Sequence, residues 1–392
     1  MKPKVLAARA ARAALAVVYA PLRRVRRRDK VVLISRQSRA VPADFARVVA
    51  RLAERAPDLE VVVLVKTLDG GLPGALAYLP HMLRQMWHVA TARVVLLDTY
   101  CIVVSALDHS PGLTVVQMWH ALGALKKFGY STLDAPGGRT SEIAHAMRMH
   151  ANYDVVLVSA PAAREGFADA FQVPLERVVV APLPRVDALR DVEHRARVRA
   201  RLLARFPELA AGEVVLYAPT LDRRTGSADH VPAVSLTELA TTLEAAGLVP
   251  VLKPHPVSTD PLPAHLDRYR DVPTSALLAV ADVFVTDCSS AVFEAGVAGL
   301  PVYFLLPPGA ADPQELYLDL RTEVPGAVAS DPAHLVEILR TSGSAAVREG
   351  EAFVQRYVAV PETGSATDGV VDVVLAALPA TSVVPPRPGP LG

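Results

Sequence analysis

The sequence predicts an α/β fold of two Rossmann-like domains, each a parallel sheet covered by helices, facing a central cleft. Three observations lead there. Continuous Val/Leu/Ile runs of four to six residues alternate with helical stretches, the pattern of strands buried on both faces. The alternation breaks near Leu183 and then starts again. At 392 residues, the chain is also longer than one hydrophobic core sustains. The expected units are an arm over 1–29, domains over 30–188 and 189–378, and a disordered tail over 379–392 with Pro385, Pro386, Pro388 and Pro390.

The arm comes first. Residues 1–30 hold ten Lys or Arg against one acid, Asp29, and the remainder of the chain is net acidic. Val5, Leu6, Leu15, Val17, Val18 and Tyr19 are interleaved with Arg9, Arg12 and the cluster Arg23 to Arg28. This pattern predicts a basic amphipathic helix lying on an anionic inner leaflet. A frayed, solvated N-terminus or a nucleic-acid arm are the plainer alternatives. The uncharged stretch Ala13–Leu22 is too short to span a bilayer, and the order of charges is wrong for a secretory signal.

In the first half, strands are expected at Val31–Ser35, Glu60–Val65, Arg93–Leu97, Thr114–Met118, Asp154–Ser159 and Arg177–Ala181. Helices are expected at Ala43–Arg55, from Gly74 to about Ala90, and at Pro161–Phe171. Leu183-Pro184-Arg185-Val186-Asp187 reads as an inter-domain turn, followed by a charged helix from about Val192 to Arg205. The second half gives strands Glu213–Tyr217, Val249–Leu252, Asp282–Thr286 and Val302–Leu305, with helices Leu236–Ala246 and Ser290–Ala298. Cys101 and Cys288 give no disulfide framework, which places the body in the cytoplasm. His145 and His150 lie about 140° apart around a helix, and no grouping has metal-ligand spacing, so no metal site is expected.

Four polar constellations sit at strand ends. At Asp287-Cys288-Ser289-Ser290 a strand runs straight into a helix, directing free N–H groups and two hydroxyls at one spot, which suits a phosphate. The alternative is a plain N-cap, although position 292 is Val and so no capping box forms. Glu294 shares the face of Ser290 and is placed to grip ribose hydroxyls. In Trp119-His120-Ala121-Leu122-Gly123, His120 lies just past a strand's carboxyl end, where a neutral imidazole can take a proton from a hydroxyl. A histidine bonded structurally in a turn is the alternative. Lys253-Pro254-His255-Pro256 is a stiff loop whose Lys253 and His255 suit a diphosphate. Thr220, Arg223 and Arg224 follow Tyr217-Ala218-Pro219 and form a weaker candidate phosphate contact, and Arg185 stands at the expected hinge.

Taken in order, Trp119-His120, Pro184-Arg185-x-Asp187, Tyr217-Ala218-Pro219-Thr220, Lys253-Pro254-His255-Pro256 and Thr286-Asp287-x-Ser289-Ser290 resemble the CDP-glycerol glycerophosphotransferase family of teichoic-acid primases and polymerases. The resemblance spans roughly residues 90 to 310. It implies a GT-B fold, with an acceptor domain over 30–188, a nucleotide-binding domain over 189–378, and peripheral attachment at the cytoplasmic face of the membrane. It also implies His120 as the base, with His255, Ser289 and Ser290 on the diphosphate. The chain departs from the family pattern at Ala121-Leu122-Gly123, Val186, Cys288 and Glu294.

The expected reaction moves an alditol phosphate, glycerol phosphate first, from CDP-glycerol or CDP-ribitol to a hydroxyl of a lipid-linked saccharide or poly(alditol phosphate) acceptor, releasing CMP. The expected catalytic residues are His120 and His255. The expected substrate contacts are Arg185, Thr220, Arg223, Lys253, Asp287, Ser289, Ser290 and Glu294. No cofactor, metal or nucleic-acid partner is expected. The rival readings are a GT-B glycosyltransferase or epimerase using a UDP-sugar, and a non-catalytic nucleotide-binding protein at the membrane.

Overall fold

The structure, a computed structural model, describes residues 3–135, 140–220, 234–254, 261–308, 315–341 and 344–379. Six parallel strands form the first sheet: β1 (Lys30–Ser35), β2 (Glu60–Val65), β3 (Val94–Leu97), β4 (Thr114–Gln117), β5 (Val155–Val158) and β6 (Val178–Val180). Their spatial order is β2-β1-β3-β4-β5-β6. The second sheet is β7 (Val214–Tyr217), β8 (Val249–Leu252), β9 (Val283–Thr286), β10 (Val302–Leu305) and β11 (Val328–Ala329), in the order β11-β10-β9-β7-β8. All pairings within both sheets are parallel. These are two Rossmann-like domains, and the architecture is GT-B.

The strands are short because each is a fully apolar run ended by a polar residue. Every residue of β1, β3, β7, β9 and β10 is buried, as sheets covered by helices on both faces require. In both sheets the strand order reverses at one place, between β1 and β3 and between β7 and β9. Ligands of open α/β sheets bind beyond the carboxyl ends of the strands at such reversals. Both reversals therefore point to where chemistry is to be sought.

The segment read as an inter-domain turn is different in detail. Pro184 occupies the N-cap position, and Arg185–Arg190 is a helix, continued after Asp191 by the helix Val192–Arg205. The fixed φ of proline at a helix start explains why Pro184 begins a helix here and does not break one.

The two domains touch along several seams. Lys127 N donates to Glu315 O at 2.7 Å and Tyr317 N to Leu125 O at 2.9 Å, a two-rung antiparallel link between domains. A second crossing comes from the end of the chain. The helix Ala366–Ala376 packs on the helix Ala43–Arg55 of the first domain. Arg51 binds Asp368 at 2.6 Å and Arg55 binds Asp372 at 2.6 Å. Asp187 accepts from the N–H groups of Ala366 (2.8 Å) and Thr367 (2.9 Å), satisfying the free donors of that helix's first turn.

The arm contains the helix Pro3–Tyr19, with Tyr19 buried and its hydroxyl 2.9 Å from His109 Nδ1. One member of the basic cluster departs from the expected surface role. Arg27 is buried, and its guanidinium donates to the carbonyls of Val89, Ala90, Ala92, Ser110 and Pro111. It clamps the basic run to the end of the helix Gly71–Thr91, while Arg23, Arg24, Arg26 and Arg28 stay exposed. No helix among the described residues is long and apolar enough to cross a membrane.

Candidate active site

The first-domain reversal carries His120. Trp119, directly after the β4 end, has φ of 60°, a left-handed conformation that is costly for a bulky side chain. It is held by Trp119 N donating to the Gln117 side chain at 2.9 Å and by the indole stacking on Phe128, centroids 5.0 Å apart. The twist turns His120 back across the strand ends. There His120 Nδ1 donates to the backbone carbonyl of Asp98, the first residue beyond β3, at 2.9 Å. A carbonyl only accepts, so Nδ1 carries the proton and Nε2 is left as the basic nitrogen. Burial pushes the imidazole pKa below its ordinary value; the Asp98 carbonyl opposes this, and Arg185 adds to it. The ring is therefore neutral at pH 7.

His120 lines a cavity of about 250 Å³ with Gln37, Pro42, Asp44, Asp98, Trp119 and Arg185. Asp98 and Asp44, both buried, were not singled out from sequence. The signal was an acid immediately following the apolar run that is β3, the same cue that marks Asp287 after β9.

Arg185 joins three parts of the chain. Its Nε and Nη2 donate to Asp44 Oδ2 at 2.9 and 2.6 Å, and its Nη1 to Glu294 Oε1 at 2.5 Å. Asp44 belongs to the first domain, Arg185 to the linking helix and Glu294 to the helix Ala291–Val297 of the second domain. Two guanidinium donors on one Asp44 oxygen and a second carboxylate, all poorly exposed, make a strong charge-assisted junction. Beyond it lies a larger cavity, about 610 Å³, lined by Asp44, Arg47, Arg185, Arg195, Thr274 and Glu294 among others. Arg185 and Glu294, expected as substrate contacts, thus face cleft cavities but also hold each other.

At the second-domain reversal, Thr220 N and Oγ1 donate to Asp287 Oδ1 at 2.8 and 2.6 Å. Asp287 Oδ1 also accepts from Cys288 N at 2.5 Å. Asp287 and Thr220 therefore pin the loops after β7 and β9 together, which fixes the Ser289-Ser290 corner. Ser290 is at the N-cap position without a capping side-chain bond, and Ser289 Oγ accepts from Ala291 N at 3.3 Å. Lys253, at the end of β8, donates from Nζ to the Arg270 carbonyl, and burial pushes its pKa down. Arg223 and His255 lie outside the described residues.

The His120 loop and the Ser-Ser helix are neighbours across the domain boundary. A Cβ on Gly123 would lie 2.6 Å from the Phe293 ring, so the loop after His120 rests directly on the helix that begins after Ser290. Only a residue with no side chain fits there.

The sequence profile of the CDP-glycerol:poly(glycerophosphate) glycerophosphotransferase family matches residues 17–376. The chain belongs to that family. It is 32% identical over 357 residues to the teichoic acid ribitol-phosphate primase of Bacillus spizizenii, covering 88% of this chain and 90% of that protein. It is 27% identical to the teichoic acid poly(ribitol-phosphate) polymerase of the same organism over 80% of this chain, but spans only 51% of that longer protein. The solved wall teichoic acid polymerase TagF superposes with a TM-score of 0.69 at 17% identity, covering 96% of this chain and 98% of the other. A UDP-GlcNAc 2-epimerase from Neisseria meningitidis shares the fold at TM-score 0.55 and 13% identity, over 90% of this chain and all of that one. Among the described residues no group of three or more His, Cys, Asp or Glu is placed to hold a metal ion.

Proposed function

We propose that this protein transfers an alditol phosphate from a CDP-alditol to a hydroxyl of a lipid-linked teichoic-acid-type acceptor at the cytoplasmic face of the membrane, releasing CMP. The observation that carries the reading is the imidazole of His120, kept neutral by burial and held with Nε2 free by the Asp98 carbonyl, in a cavity at the sheet reversal that opens against Arg185. Ribitol is the first alditol to test, ahead of the glycerol suggested by sequence, because the likeness to a ribitol-phosphate primase runs over nearly the full length of both proteins.

The acceptor oxygen attacks the β-phosphorus of the donor while His120 Nε2 takes its proton. The bond from the β-phosphorus to the oxygen bridging it to the α-phosphorus breaks, and CMP leaves with that electron pair. Such transfers depend mainly on positioning and on cationic donors around the phosphates. Ser289, Ser290, Lys253 and the expected His255 and Arg223 are assigned to the diphosphate, with Glu294 toward the ribose. Thr220 and Asp287 act by holding that corner in shape. No resident metal is invoked.

Membrane attachment is supported by two exposed surfaces. Leu6, Val17 and Val18 stand out from the helix Pro3–Tyr19. Leu76, Leu79, Leu83 and Trp87 are exposed along one stripe of the helix Gly71–Thr91, beside the Arg27-clamped basic run.

The test is a donor panel. The purified chain, incubated with CDP-ribitol, CDP-glycerol and UDP-sugars plus a short-chain lipid-linked disaccharide, is expected to release CMP, with or without EDTA. UDP release, or nucleotide binding with no turnover, would overturn the reading.

A further inference from the structure

The His120 cavity contains a group that the reading above leaves unused. Asp98 follows β3 at the reversal between β1 and β3, where its neighbours across the sheet are the residues after Ile34 and Gln117. Asp98 is 4% exposed, yet the residue lines the same cavity as His120, and its own carbonyl sets the His120 tautomer. Thr99 Oγ1 donates to Asp98 Oδ1 at 3.1 Å, which holds the carboxyl group in place.

The wall chemistry of this cavity selects its occupant. Asp44 and Asp98 are both acidic, and the only cation among the described residues of the wall, Arg185, is already matched by Asp44 and Glu294. A phosphate entering here would meet uncompensated negative charge; a neutral hydroxyl would meet acceptors. Gln37 adds an amide and Trp119 an aromatic wall. About 250 Å³ is below the size of a whole-ligand pocket and suits the end of a polyol or saccharide.

We propose that the Asp98 carboxylate is an acceptor-binding group, taking a hydrogen bond from a hydroxyl of a neutral polyol or saccharide end and so presenting the adjoining hydroxyl to His120. The inference rests on the reading of this site as an alditol-phosphate transferase. It assigns phosphate recognition to the second-domain side and hydroxyl recognition to the first. The pKa of Asp98 agrees with such a role: burial raises it to about 6, Asp44 adds to the rise, and bonds from Ser35 and Thr99 oppose it. Among the described residues, the charged and titratable groups facing Asp98 are Asp44 from the helix Ala43–Arg55, Arg185 from the linking helix and His120 from the β4 loop.

The experiment measures the KM values for donor and acceptor separately, in the full chain and in Asp98→Asn. The donor is whichever CDP-alditol releases CMP. The acceptor probe is a short-chain lipid disaccharide ending in a glycerol phosphodiester, which does not titrate near pH 6. Loss of one charge-assisted hydrogen bond is expected to raise the acceptor KM by about 10- to 100-fold. Donor KM is expected to stay within about twofold. In the wild type the acceptor KM rises as pH falls through about 6, where Asp98 gains its proton; in Asp98→Asn that rise is absent, while the limb due to His120 persists. An unchanged acceptor KM in the variant, equal rises for donor and acceptor, or a flat wild-type acceptor KM between pH 5 and pH 7 (roughly one unit either side of the Asp98 pKa) would overturn it. The wild-type profile decides even if the variant fails to fold. If no CDP-alditol yields CMP with the wild type, the parent reading falls first, a result distinct from any of these.

Discussion

Burial lowers the basicity of His120, and two neighbouring groups set its aim and tautomer. Trp119, forced to positive φ, aims the ring, and the Asp98 carbonyl fixes which nitrogen is free. His120→Ala is expected to lower kcat by about 10²- to 10⁴-fold with little change in melting temperature. The base works deprotonated and its pKa lies below the ordinary histidine value, so kcat/KM stays level at neutral pH. The limb due to His120 itself appears only as the pH drops through that depressed value. A profile whose acid limb sits above the ordinary histidine pKa would contradict the burial argument. At this scale His120 was legible because a histidine next to a strand end stands out, whereas Asp44 and Asp98 were not. One acid after an apolar run looks like any strand terminus until the sheet order shows that β3 borders the reversal. Glu294 and Arg185 were legible as cleft residues, but their mutual ion pair spans 109 positions, and nothing in local spacing announces it.

Among the elements, the helix Ala291–Val297 does two jobs. Its start displays Ser289 and Ser290, and its flank receives the His120 loop through Gly123 against Phe293. Phe293 is fully buried and stacked on Phe353, so it has little room to move. Gly123→Ala is expected to destabilise the fold by about 1–3 kcal/mol through overpacking and to lower turnover by displacing the loop. Urea unfolding of Gly123→Ala, with Gly123→Ala/Phe293→Leu as the relieved pair, checks this; no recovery in the pair would assign the cost elsewhere. Up to β10 the strands and long helices were legible to within about three residues, since continuous Val/Leu runs and the 3.6-residue period are strong signals, whereas the three long helices after β10 were not read from sequence. The helix Ile102–Ala106 was missed because Ile102-Val103-Val104 is β-branched and favours strand locally. The two-residue β11 is too short to carry any period. The helices Pro332–Thr341, Ser344–Tyr357 and Ala366–Ala376 have apolar stripes; their place in the fold follows from partners far away in sequence.

Taken whole, the molecule presents a cleft on one side of its sheets and a basic, apolar-striped surface on the arm and the helix Gly71–Thr91. If that surface meets anionic lipid, Leu83→Glu with Trp87→Ala is expected to weaken co-sedimentation with phosphatidylglycerol vesicles by about tenfold or more, leaving CMP release to a soluble acceptor intact. Equal sedimentation of variant and wild type would leave the arm alone as the anchor. Two domains were legible at this scale from the repeated alternation, and the family from five motifs. The return of the last helix to the first domain was not, because it depends on Asp187 and on Arg51 and Arg55 meeting residues some 180 and 317 positions away.

That return has a consequence for how the protein comes into being. During translation the first domain emerges with the flank of Ala43–Arg55 bare and with the carboxylate of Asp187 lacking its helix, and both wait for Ala366–Ala376, made only after every strand of the second sheet. Neither half can finish its surface alone. A truncation before Ala366 is expected to lower the melting temperature of the amino-terminal domain, because the flank of Ala43–Arg55 and the Asp187 carboxylate then lose their partners.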